Sequence, residues 1–201
     1  MRAELEFELA QAAAAMPWAA ILTLEGLGVS RRSAAALVGL IGTGKVELSA
    51  DGASWVPGGP DARLILAVRD ADGDLIDLVA IASHRRDEWA LRTGDGWALG
   101  LNVLSAIEQA RDHAQQLADG GARRRPVALR LFANPLDWLA ADGEGLCVLD
   151  WGPLALTTLR ALGEGVTIQT DPGAQDRLRA LLAHGGLPRV EAVRPVRGLA
   201  A

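Results

Sequence analysis

The sequence predicts an α/β protein: an α+β N-terminal lobe over residues 1–122, then a parallel β-α-β-α-β-α-β unit over residues 123–201. Three observations lead there. From Val127 onward, short apolar runs of strand length alternate with helix-like segments, and each run is closed by Gly, Pro, Asn or Asp. Parallel neighbours require such crossovers, because no tight hairpin can join them. Ahead of that unit, two β-rich runs meet at Asp72-Gly73, a dipeptide that closes hairpins. Between the two regions a long amphipathic stretch gives way to Gly120-Gly121 and Arg123-Arg124-Arg125, where glycine and charge replace periodicity and mark the lobe boundary.

Bulk composition narrows the functional classes. The 201 residues are 50% hydrophobic, enough for one sizeable core or two small lobes sharing an interface. A net charge of −5 supplies no overall attraction for nucleic acid, so any such contact needs a local basic patch. Lys45 is the only lysine. Arginine therefore carries the positive charge, and guanidinium is the better fork for phosphate or carboxylate, although a GC-rich coding bias produces the same pattern. Cys147 is the only cysteine, which rules out an internal disulfide and a zinc site built on several thiolates. His84, His113 and His184 lack metal-ligand spacing. Glu4, Glu6 and Glu8 give the N-terminus the wrong charge for a signal peptide, and no apolar run is long enough to span a bilayer. The expected location is the cytoplasm, with no membrane partner.

In chain order, residues 3–16 suit a helix with Leu5, Leu9, Ala13 and Met16 on one side and Pro17 as its stop; its alanines predict loose docking. Ser30 caps a second expected helix from Arg31 to about Ile41, ended by Gly42-Thr43-Gly44. Val46–Leu48 and Ser54–Val56 read as a weak hairpin around Asp51-Gly52. Arg63–Arg69 and Asp74–Ala82 are the strands flanking Asp72-Gly73. Trp89–Thr93 and Trp97–Leu99 are expected to form a further hairpin on the same antiparallel sheet. A helix follows from about Asn102 to Ala118, its apolar face formed by Val103, Ile107, Ala110, Ala114 and Leu117. Strands at Val127–Ala133, Gly145–Trp151, Val166–Asp171 and Arg189–Val193 then alternate with helices at Asn134–Ala141, Pro153–Gly163 and Pro172–His184.

Ligands of open parallel sheets sit beyond the carboxyl ends of the strands, which directs attention to Ala133, Asn134, Asp137, Asp150 and Asp171. Asp137 and Asp171 follow alternate strands, where hard oxygen ligands suit Mg²⁺. A plain structural reading also serves: Asn134-Pro135-Leu136-Asp137 is a helix start with Asn as cap, Pro in the first turn and an acid facing the helix dipole, and Asp171-Pro172 repeats it. Gly39–Lys45 has the spacing of a phosphate-binding P-loop, but Val46 replaces the hydroxyl residue and the order of strand and helix is reversed, so it reads as a glycine stop. Arg31-Arg32, Arg85-Arg86 and Arg123–Arg125 are the basic clusters, with Trp89, Trp97, Trp138 and Trp151 as potential stacking faces.

Phe132-Ala133-Asn134-Pro135-Leu136-Asp137-Trp138 resembles the first motif of Toprim (topoisomerase/primase) domains, in which a strand runs into Glu-Gly-Pro, an Asp two residues on, and a helix. Val166-Thr-Ile-Gln-Thr-Asp171-Pro-Gly173 is similar to the family's later strand ending in Asp-x-Asp. Upstream, Arg63 with its apolar strand and Asp70-Ala-Asp-Gly73 resembles the segment that precedes the Toprim unit in bacterial and phage-type DNA primases, and Gly26–Ser30 resembles the start of that core. Together these cover most of residues 20–195 in the right order. The departures fall on the chemistry: the family's glutamate maps to Ala133, its glycine to Asn134 and the second Asp of Asp-x-Asp to Gly173, and one cysteine cannot build the zinc ribbon that accompanies such primases. The resemblance thus implies a primase-like fold with a decayed site. It implies no resident cofactor, Mg²⁺ being conceivable at Asp137 and Asp171, and single-stranded DNA or RNA, or a replication protein, as partner. Arg63, Arg123, Arg124 and Arg125 are the expected nucleic-acid contacts. Two alternatives stand beside it: an active Mg²⁺-dependent nuclease or nucleotidyltransferase in which Asp150 joins Asp137 and Asp171, and a scaffold subunit using the N-terminal helix and the helix from Asn102 as seams.

Overall fold

A computed structural model of the chain describes residues 1–16, 18–30, 33, 37, 40–85, 87–119, 127–163, 166–170, 175 and 178–180. Helices α1 (Arg2–Ala14) and α2 (Trp18–Gly26) precede strands β1 (Ile41–Leu48), β2 (Trp55–Pro57), β3 (Asp61–Arg69), β4 (Leu75–Ile81), β5 (Trp89–Leu91) and β6 (Ala98–Leu99). Helix α3 (Asn102–Asp119) leads to β7 (Val127–Phe132), α4 (Pro135–Ala140), β8 (Leu146–Val148), α5 (Pro153–Ala161) and β9 (Val166–Thr170). The α/β class holds. Among the described residues no helix is long and apolar enough to cross a membrane.

The first sheet is antiparallel in the order β2-β1-β3-β4-β5, and it curls until Ser54, at the entry to β2, bridges Leu91 of β5. The second is mixed, in the order β6-β8-β7-β9, with β7 parallel to both β8 and β9. The two segments beginning at Val127 and Val166 are parallel neighbours, joined in register from Val127↔Val166 to Leu131↔Thr170. Because side chains alternate along a strand, each sheet feeds two cores. Leu64, Leu66 and Val68 of β3 meet Leu136 and Leu139 of α4, Leu24 of α2 and Cys147 of β8 in the core between the sheets. Ile65, on the other face of β3, packs with Leu5, Leu9 and Ala12 of α1. Leu146 and Val148 of β8 turn the opposite way from Cys147 and meet Ile107 of α3 and Leu159 of α5.

Several expectations change. Helix α1 is firmly docked, with Leu5, Leu9 and Ala12 buried, because Gly42 of β1 lets its backbone come close: a Cβ at Gly42 would lie 2.1 Å from the Ala12 carbonyl carbon. The seam a scaffold would need on α1 is therefore spent inside the chain. Helix α1 ends at Ala14 and a separate helix, α2, begins at Trp18; Pro17, the expected stop between them, lies outside the described residues. Ser30 accepts a hydrogen bond from the Ser33 amide as a cap would, and the Leu37 amide reaches the Ser33 carbonyl, but most of the expected second helix lies outside the described residues. Gly42 and Gly44 do not stop a helix; they lie within β1, opposite Ile65 and Arg63 of β3.

Trp97–Leu99 does not form a hairpin with β5 either. The buried Asp77 carboxylate accepts hydrogen bonds from the amides of Leu78, Arg92, Thr93, Gly94 and Gly96, and this bent loop carries the chain out of the first sheet. Ala98 and Leu99 consequently pair with Val148 and Cys147 of β8. The boundary expected at 122/123 is thus crossed by β6 and by the core between the sheets, and Arg123–Arg125 lie outside the described residues.

Candidate functional site

Strand β7 alternates Leu129 and Leu131, buried, with Arg130, exposed. Its partner β9 sets Gln169, also exposed, directly opposite Arg130. Beyond Phe132 the chain turns through Ala133 to Asn134, whose extended backbone (φ −144°, ψ 153°) caps α4 with Pro135 in the first turn. The Asn134 side chain accepts a hydrogen bond from the Asp137 amide at 2.9 Å, satisfying one amide that a helix start otherwise leaves open, and donates one to the Asp137 carboxylate. The result is a crevice of about 350 Å³ lined by Arg130, Leu131, Phe132, Asp137, Gln169 and Thr170. It lies at the carboxyl ends of β7 and β9, where open parallel sheets bind ligands.

Inside it the Arg130 guanidinium sits 5.1 Å from the centroid of the Phe132 ring. Gly145, at the entry to β8, packs directly against them: a Cβ there would lie 2.6 Å from the Arg130 carbonyl oxygen and 3.1 Å from the Phe132 ring, so only glycine allows the chain to pass this close. The Thr170 hydroxyl is buried with no hydrogen-bond partner among the described residues. Burial, with a further contribution from the nearby Asp137 charge, pushes the Cys147 thiol well above its ordinary range, so Cys147 is a core residue rather than a nucleophile.

The other predicted residues scatter. Asp150 is exposed beyond the end of β8 and opens on a different cavity, of about 290 Å³, with Trp89 and Leu91 of β5 and Gly94 of the loop after it in the wall. Asp137 and Asp150 therefore do not face one crevice. Asp171 lies outside the described residues, although Thr170, immediately before it, ends β9 in the crevice wall. Among the described residues no group of three or more His, Cys, Asp or Glu side chains is placed to hold a metal ion. Arg63 is turned inward: its side chain is 2% exposed, with Nη2 at 2.7 Å from Asp61 and in an ion pair with Glu88. A guanidinium buried between two carboxylates does not reach a polyanion, so the expected nucleic-acid contact at Arg63 gives way to an internal ion pair.

No family model matches the chain, and no curated protein matches it. The site is described by its own chemistry: one exposed cation stacked on a ring, one carboxamide, one carboxylate committed to a helix cap. Sequence reasoning passed over Arg130 and Gln169. The signal was the alternation in Leu129-Arg130-Leu131, which marks Arg130 as pointing away from the core; what no sequence pattern carries is the pairing that sets Gln169 opposite it.

Proposed function

We propose that the chain is a non-catalytic, Toprim-like, primase-related protein of phage or mobile-element type that binds nucleic acid, or a replication partner, through the crevice between β7 and β9. The observation that carries this reading is a strand-end crevice in which the described residues place a single carboxylate, Asp137, tied to a helix cap. Ala133 stands where the resemblance calls for a glutamate, and the Asp137 carboxylate is engaged by Asn134. Catalysis by paired Mg²⁺ ions needs several carboxylates on one crevice, and the described residues supply one. Arg130 provides the exposed cation that a polyanion seeks in an otherwise acidic protein.

Binding of the intact chain to single-stranded DNA and RNA across a salt series tests the proposal. Affinity should fall with rising salt, as expected when phosphate contacts release counterions; no binding at low salt refutes the nucleic-acid form. The enzymatic alternative, Mg²⁺ held at Asp137 and Asp171, draws on Thr170, the residue before Asp171, which lines the same crevice as Asp137; Asp150, on a separate cavity, drops out of that set. Titration calorimetry with Mg²⁺ and Mn²⁺ separates the two: a stoichiometric site abolished by Asp137→Asn supports the enzyme.

A further inference from the structure

We infer that the crevice receives an unpaired base of a single-stranded nucleic acid, stacked on the Arg130–Phe132 pair, while the phosphates remain outside. This rests on the nucleic-acid reading above and names which part of the strand enters. The lining carries one cation, Arg130, and one carboxylate, Asp137, so its charges sum to about zero. A phosphate placed inside meets Asp137, whereas an uncharged base does not. That polarity is the reverse of a metal-bridged site, in which carboxylates draw phosphate inward through a cation.

The surface chemistry suits a base. A guanidinium is planar and stacks on aromatic rings, and here it lies over Phe132 while Arg130 itself stays exposed, so its outer face is the next layer of a stack. Gln169, exposed and opposite Arg130, presents both a donor and an acceptor to a base edge. The platform continues along the same face to Ala128 and its partner Thr167, both exposed and uncharged. At about 3.3 Å per residue, Ala128 to Phe132 spans roughly 13 Å, room for about two successive nucleotides. A duplex holds its bases inside the stack and cannot offer one to this surface.

Fluorescence anisotropy with labelled poly-pyrimidine DNA and RNA oligonucleotides, and with a duplex of equal length, decides the matter on the intact chain. The wild type should bind the single strands and leave the duplex at least tenfold weaker. Arg130→Lys keeps the charge and loses the planar stack; Phe132→Leu keeps the apolar packing and loses the ring. Each should weaken single-strand binding about tenfold, within the usual range for one stacked base. Neither should change the slope of log affinity against log salt, which reports phosphate contacts. Gln169→Ala, on the exposed face and remote from the cores, should weaken binding severalfold with an unaltered thermal melt. Binding that survives Arg130→Lys and Gln169→Ala at wild-type strength, or a duplex bound as tightly as a single strand, overturns the base-first arrangement while leaving the broader proposal standing. Absence of all nucleic-acid binding overturns both.

Discussion

Asp77→Asn removes one charge and exchanges one oxygen for an NH₂ group at a position with no exposure to solvent. In the native chain Oδ1 accepts from the amides of Leu78 (2.7 Å), Arg92 (3.1 Å) and Thr93 (2.9 Å). Oδ2 accepts from Gly94 (2.9 Å) and Gly96 (3.0 Å). Asparagine keeps one acceptor oxygen but sets a donor against the other group of amides. Whichever way it is flipped, at least the two amides of one side lose their acceptor. Each unsatisfied buried donor costs about 1–3 kcal/mol, so the substitution should destabilise the fold by about 2–6 kcal/mol, a large share of the roughly 5–15 kcal/mol typical of a domain. Urea unfolding with an unchanged m-value measures the loss. Native-state hydrogen exchange should show it locally, at Gly94 and Gly96, because the loop they form passes the chain from one sheet to the other. A variant within about 0.5 kcal/mol of wild type, with the Gly96 amide still protected, would refute the claim that this carboxylate anchors the crossing.

Three further outcomes are expected. Gly42→Ala should destabilise the protein by several kcal/mol and raise proteolysis within α1, because the added methyl meets the Ala12 backbone at 2.1 Å, where nothing can yield short of moving the helix; limited proteolysis and thermal melting test it. Cys147 should resist alkylation in native buffer up to alkaline pH and react fully in denaturant, since it has no exposure and burial raises its thiol; rapid labelling of the folded chain would contradict the placement of β8. Hydrogen bonds from Arg63, and then Arg85, hold the Glu88 carboxyl below its usual range. A carboxyl depressed in the folded state contributes stability above its unfolded value, near 4.3, and loses it as pH falls through the folded value. Acid unfolding of wild type should therefore steepen below about pH 4.3, and Glu88→Gln should flatten that limb; identical acid profiles would remove the pair from the account.

Much of the fold was legible because local rules and tertiary demands coincide. Asp72-Gly73 closes β3 and β4 as a hairpin with Gly73 at φ 91°, a conformation that glycine adopts freely. Asn134-Pro135 starts α4 for reasons contained within four residues. The crevice as a location was legible too, since it follows from parallel strands alone. Its contents were not. Asp150 reads as a neighbour of Asp137 when strands are counted, yet β8 and β9 flank β7 on opposite sides, and their ends open on separate cavities. Arg63 reads as a surface cation, yet Asp61 on its own strand and Glu88 beside β5 enclose it.

By itself, the sequence determined the α/β class, the hairpin at Asp72-Gly73, the long helix from Asn102 and the crossover units from Val127 to Thr170, because periodicity and turn chemistry act over a few residues. Only the tertiary structure decided that Ala98–Leu99 leave the first sheet for the second, that α1 lies against Gly42, and that Gln169 stands beside Arg130 over the Phe132 ring. Those contacts join residues far apart in the chain, and they are chosen by which faces bury together and which buried charges find donors, terms that no local pattern encodes.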